Sequence, residues 1–230
     1  MTSIVQGTKQ AWQMILEFDP ELFAIVGRSF IVSLSATLLA ALIAVPLGAW
    51  LGHVEFRGKT MVGRILYTLM SLPTVILGLF VFLLISRSGP LKDLKLIYTV
   101  QAMIIAQFLL VLPLITTLVM NLSSIKGRLV ADTAKTLGAN RRQQTLMVMR
   151  ELRGPIFGQV MTGFARAISE VGAVMIVGGN IRYHTRVMTT AISMLNSMGE
   201  YAQAIALGLI LLLLSLILNS LVFQFTGGLK

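Results

Sequence analysis

Residues 29–52 read SFIVSLSATLLAALIAVPLGAWLG, an unbroken run without one charged side chain. Crossing the hydrocarbon core takes ~20 consecutive apolar residues in helical form, and this run exceeds that length. Its apolar residues follow no period of two, so it does not read as a barrel strand, and a helix must satisfy its backbone in lipid. Small residues recur along it at every fourth position, Ala36, Ala40, Ala44, Gly48 and Gly52, a ridge that lets a neighbouring helix approach closely.

The rest of the chain repeats the pattern. Uncharged apolar runs also cover residues 65–86, 96–125 and 201–229, and residues 155–179 form a fifth run that carries only two charges. Hydrophobic residues make up 56% of the 230 and charged residues 12%, with a mean hydropathy of +0.84, values outside the range of soluble globular domains. The expectation is an all-α, multi-pass integral membrane protein with five spanning helices at about 24–51, 65–86, 96–120, 155–179 and 202–226. A sixth span requires residues 4–18 to insert, which Gln6, Lys9, Gln10, Gln13 and Glu17 oppose. Residues 1–22 read better as an interfacial segment bearing Trp12, Ile15 and Leu16, and residues 23–226 as one membrane domain. Residues 1–21 have no basic start and end in acids, so no secretory signal is expected. Pro46, Pro73 and Pro113 fall inside or at the ends of the first three spans, where each removes a backbone donor and can kink the helix.

Between the third and fourth spans lies a polar, basic island, residues 121–154. It reads as two short helices around a glycine. Ser123 or Ser124 caps the first, whose apolar residues Ile125, Leu129, Val130, Ala134 and Leu137 recur at helical spacing. Gly138 stands where a left-handed residue ends a helix, and Asn140 starts the second helix. The stripe needs cover, from its own bundle, from lipid or from a partner. With the N terminus outside, inner segments, including the C-terminal Lys230, hold eleven Lys and Arg residues and outer segments seven, which favours N-out, C-in by the positive-inside rule. The net charge of +10 is then explained by topology and anionic lipid headgroups, and no nucleic-acid partner is expected.

Motifs for chemistry are few. Gly58-Lys59-Thr60 imitates the end of a phosphate-binding loop, but His53 stands in place of the required glycine and no strand precedes it. No cysteine is present, and no nucleophile with a base, metal-ligand cluster or buried carboxylate pair suggests an enzyme. Arg166 and Glu170, four apart, are expected to share one face of the fourth span, as an ion pair or as pathway residues. The segment with Asn180, Arg182, His184 and Arg186 reads as an outer loop, solvated or anion-attracting.

The island resembles a family motif. Asp132-Thr133-Ala134, three residues, Gly138 and, after nine intervening residues, Val148 are similar to the cytoplasmic loop of ABC importer permeases, although Arg150 and Glu151 replace its terminal Leu-Pro. Gly163-Phe164-Ala165-Arg166-Ala167-Ile168-Ser169-Glu170-Val171-Gly172-Ala173 and Val177-Gly178-Gly179-Asn180-Ile181 resemble the permeases of molybdate and tungstate importers, the tungstate type above all. The resemblance implies a type I ABC importer permease of the cell (inner) membrane that moves tungstate, with molybdate or another oxyanion as the alternative. It implies a homodimeric pathway, a dimer of ATPase subunits that uses ATP and Mg²⁺, and an extracytoplasmic oxyanion-binding protein, while this chain itself binds no cofactor or metal. Asp132, Thr133, Ala134, Leu137, Gly138 and Ala139 would couple to the ATPase, and Arg166 and Glu170 would line the pathway. An ion-coupled carrier without an ATPase is the competing mechanism.

Overall fold

A computed structural model describes residues 2–226; Leu229, which ends the last apolar run, and Lys230, counted among the inner charges, lie outside them. Among these residues there are helices and no strands. In chain order they are α1 (Thr2–Leu16), α2 (Pro20–His53), α3 (Lys59–Met70), α4 (Thr74–Ile85), a 3₁₀ turn (Lys92–Leu94), α5 (Val100–Leu122), a π-helical turn (Ser123–Gly127), α6 (Arg128–Thr136), α7 (Arg141–Glu151), α8 (Arg153–Ile168), α9 (Gly172–Gly178), α10 (Met188–Met198) and α11 (Tyr201–Thr226). Three of the described helical stretches are long and apolar enough to cross a membrane, Pro20–His53, Val100–Thr136 and Tyr201–Phe225, and the count reaches five when α3 with α4, and α8 with α9, each form one broken span.

Both breaks depart from the expected continuous helices at 65–86 and 155–179, and each has a local cause. Pro73 supplies no amide hydrogen and forces Leu72 away from helical geometry, so α3 stops and α4 restarts beyond the proline. In the second, Ser169, Glu170 and Val171 leave the helix, and the Ala173 amide donates to Glu170 Oε1 at 3.2 Å. The carboxylate thus satisfies one of the orphan donors that open α9. Pro46 and Pro113, by contrast, sit inside α2 and α5 without ending them.

The chain folds as two compact units. One combines the segment through Ser35 with residues 73–107 and 168–217. Its core holds Val32, Val81, Ile85, Met103, Val174 and Val177. Gly78 lets α4 meet α9, since a Cβ there would lie 2.6 Å from Ala173 Cα. A helix that the sequence pattern did not announce, α10, packs its first turn into this unit: Met188, Thr190 and Ala191 are fully covered, and the Met188 amide donates to Ser29 Oγ at 2.8 Å. In α1, Trp12 and Leu16 are exposed and Ala11 is covered.

The other unit combines residues 36–72 and 108–167 with the end of α11. The spaced small residues of α2 do here what their spacing suggests. Ala40 and Ala44 are fully covered, and a Cβ on Gly48 would stand 2.7 Å from Thr116 O, one on Gly52 2.7 Å from Met120 O. The ridge is therefore where α5 lies close against α2. Val111, Ile115, Val119, Val148 and Ile156 complete that core.

Candidate functional site: the polar island and the broken fourth span

The island does not begin with a capped new helix. Neither Ser123 nor Ser124 caps α6; instead α5 runs on through the π turn directly into α6, one continuous helical stretch from Val100 to Thr136. Gly127 ends the turn, and a Cβ there would lie 2.8 Å from Val148 Cγ1; the bare glycine lets α7 pack against the turn. Ser124 Oγ donates to Gly52 O at 3.1 Å.

At the far end of α6 the chain turns back as its residues suggest. Gly138 has φ 84°, a left-handed conformation that costs other L-residues roughly 1–2 kcal/mol. The Ala139 amide returns to Ala134 O at 3.0 Å. Asn140 then opens α7 with a reciprocal cap: its Oδ1 accepts from the Gln143 amide at 3.0 Å, and its own amide donates to Gln143 Oε1 at 2.8 Å. This capping box fixes the entry into α7.

The hairpin buries only part of the expected stripe, Ala134 fully and Val130 in part. Ala131 and Ala134 face inward with Thr145 and Val148 of α7, whereas Ile125, Leu129 and Leu137 are 80%, 76% and 78% exposed. Small residues allow α6 and α7 to lie close, and the large apolar ones are left outside. Asp132, Thr133, Lys135 and Thr136 are exposed beside them, the two threonine hydroxyls donating to Leu129 O and Thr133 O. The surface is an apolar face rimmed by polar groups, a pattern that marks protein or membrane contact sites.

The start of the hairpin is anchored to the end of α2 through Glu55, which no motif singled out, and through Lys59 and His53, whose pattern pointed only to an incomplete phosphate loop. Glu55 pairs with Arg128 and lies 3.3 Å from Lys59 Nζ. Lys59 also donates to Gly52 O at 2.8 Å and Val54 O at 3.0 Å, serving carbonyls that the end of α2 leaves open. His53 Nε2 lies 3.4 Å from Thr145 Oγ1. The Glu55–Lys59 spacing of four was the available signal; Arg128, 73 residues away, had none.

Arg166 and Glu170 do not share a helical face. Arg166 is exposed on α8, two residues before that helix ends, while Glu170 stands in the break and is 3% exposed. Besides serving the Ala173 amide, Glu170 accepts from Thr189 through its backbone oxygen at 2.6 Å. It ties the break to α9 and α10. No cluster of three or more His, Cys, Asp or Glu that could hold a metal occurs among the described residues.

The family description "Binding-protein-dependent transport system inner membrane component" matches residues 44–228, spanning α3 to α11 and the whole island. The chain belongs to this family. The permease is a multi-pass membrane protein. It is 49% identical over 224 residues to the tungstate uptake system permease protein of Peptoclostridium acidaminophilum, covering 97% of this chain and 98% of that protein. Identity to the tungstate uptake system permease protein of Campylobacter jejuni is 38%, over 94% and 90% of the two chains. It is 38% as well to a probable anion ABC transporter permease protein of Haloferax volcanii, over 89% and 90%.

Proposed function

We propose that this chain is the membrane-spanning permease of an ATP-driven oxyanion importer, and that the oxyanion is tungstate. Identity of 49% across almost the entire length to a tungstate uptake permease carries the substrate. The open apolar face of Ile125, Leu129 and Leu137 supports the partner: an ATPase subunit seats α6 and Gly138 in a groove. ATP and Mg²⁺ are used there, not by this chain. Closure of two ATPase subunits then displaces α6, and because α5 and α6 form one continuous helical stretch, the displacement enters the membrane as a rigid-body movement.

In this reading two copies of the permease enclose the pathway, and the island faces the cytoplasm. α2 is one membrane-length helix, so its start and the N terminus take the outer face, where a binding protein delivers the anion. Arg166 lines the pathway and supplies positive potential for the anion. Glu170 acts at one remove, holding the break in the fourth span through its bond to the Ala173 amide.

The test is uptake of radiolabelled tungstate by proteoliposomes containing the permease, its ATPase and its binding protein, with molybdate and sulfate as competitors. Tungstate should accumulate and be displaced best by unlabelled tungstate. Stronger displacement by molybdate or sulfate would reassign the substrate, and absence of ATP-dependent uptake of all three would refute the importer.

A further inference from the structure

Around the first turns of α2, within one compact unit, three guanidiniums gather about a single carboxylate. Arg182 donates to both oxygens of Glu21, through Nε at 2.8 Å and through Nη2. Arg186 Nη1 lies 3.8 Å from Glu21 Oε1. Arg28, two turns along α2 from Glu21, donates to Arg186 O at 3.0 Å. Among the described residues these three cations share this one carboxylate, an excess of two positive charges.

Arg186 is the anomalous member. Its side chain is only 12% exposed, yet among the described residues its Nε has no hydrogen-bond partner, and its Nη2 meets the Met194 thioether at 3.4 Å. Burial, followed by repulsion from Arg182 and Arg28, pulls its pKa down against the attraction of Glu21. A guanidinium cannot escape by losing its proton, and a buried charge without good partners is costly. Beside it Asn180 donates to the same sulfur at 3.2 Å.

The loop carrying these residues is built independently of Glu21. The Ile181 amide donates to Thr185 Oγ1 at 2.9 Å, and Thr185 in turn donates to Gly178 O. The amides of His184, Thr185 and Arg186 all converge on Ile181 O. Asn180 and Tyr183 are held at φ 50° and 65°, strain that persists only where the surroundings over-determine it. A side-chain exchange at Glu21 should therefore leave the loop in place.

We propose that Arg186, Arg182 and Arg28 form a receiving site for a tetrahedral dianion, in which Glu21 holds the guanidiniums while the site is empty. A dianion matches the excess of two charges, and its oxygens give Arg186 Nε the acceptor it lacks. The site rests on the oxyanion-importer reading and adds to it a step within the permease itself, before the anion enters the membrane.

Equilibrium dialysis of the permease–ATPase complex without binding protein, using radiolabelled tungstate, tests this. The wild type should bind saturably and more weakly as salt is raised. Glu21→Gln should tighten binding and Arg182→Gln weaken it, each by about tenfold, the equivalent of one modest charge interaction. Arg182→Lys, which keeps the charge but loses the fork, should fall between wild type and Arg182→Gln. Unsaturable wild-type binding overturns the proposal, as does a Glu21→Gln variant that binds no better. An Arg182→Gln variant impaired only in docking the binding protein would do the same, since it would make the arginines a protein contact. Those failures, accompanied by normal ATP-driven uptake in the intact transporter, would sink this site alone; absence of uptake would sink the importer reading beneath it.

Discussion

Replacing Leu129 and Leu137 together by alanine separates a docking face from a packing one. In the free chain these side chains are 76% and 78% exposed, so their removal leaves almost no cavity and the permease should insert and keep its melting temperature. Each exchange deletes three carbons. At ~0.8 kcal/mol per buried CH₂, scaled by the exposed fraction that a partner would cover, each costs about 1.8 kcal/mol of docking energy. The pair then costs about 3–4 kcal/mol, a fall in ATPase affinity on the order of several hundredfold. Titration of the labelled ATPase against permease in nanodiscs measures this directly, with size-exclusion profile and thermal unfolding as controls. Affinity within about fivefold of wild type would refute the assignment of this face. Loss of the folded permease would show instead that the leucines are packed against something within it.

Other substitutions probe the joints of the same machine. Gly138→Glu meets no atom within 4 Å of its Cβ but must hold a left-handed backbone at a cost of about 1–2 kcal/mol; the variant should assemble yet fail in uptake, whereas Gly138→Asn, which tolerates that conformation, should transport. Asn140→Ala removes the cap of α7 and should lower stability by ~1 kcal/mol, read as a shift in thermal unfolding; no shift would contradict the capping role. Gly52→Leu must push against Met120 O, 2.7 Å from the new Cβ. Overpacking of this sort costs roughly 1–3 kcal/mol or more, and an unchanged unfolding temperature would mean that α2 and α5 are not so close. Arg166→Gln should reduce uptake while the assembled complex remains abundant; equal loss of both would give Arg166 a structural role.

Legibility in the sequence tracked how local each cause was. The spans α2, α5 and α11 follow from long uncharged runs, because lipid leaves the backbone only one economical solution. Pro73 announced a disturbance in the second span, but not that the helix would stop and restart. The other break was hidden, since Glu170 reads as a helical residue until its carboxylate is seen taking the Ala173 amide. α10 escaped notice because Thr189, Thr190, Ser193 and Ser197 obscure its apolar side, although Met188 and Ala191 are fully covered. In the island, the turn at Gly138 and the start at Asn140 were legible as local chemistry. The direction in which the stripe faces was not, for Ala131 and Ala134 take the inner position through their small size, leaving Leu129 and Leu137 outside.

If ATP hydrolysis by a partner, received at the island, drives oxyanion import, uptake and hydrolysis must be coupled. Both can be recorded together for tungstate in proteoliposomes of the permease, ATPase and loaded binding protein. Loaded binding protein should stimulate hydrolysis, tungstate should accumulate only while ATP is hydrolysed, and dissipating ion gradients should change neither. Accumulation that proceeds without ATP and collapses with an ion gradient would contradict that coupling.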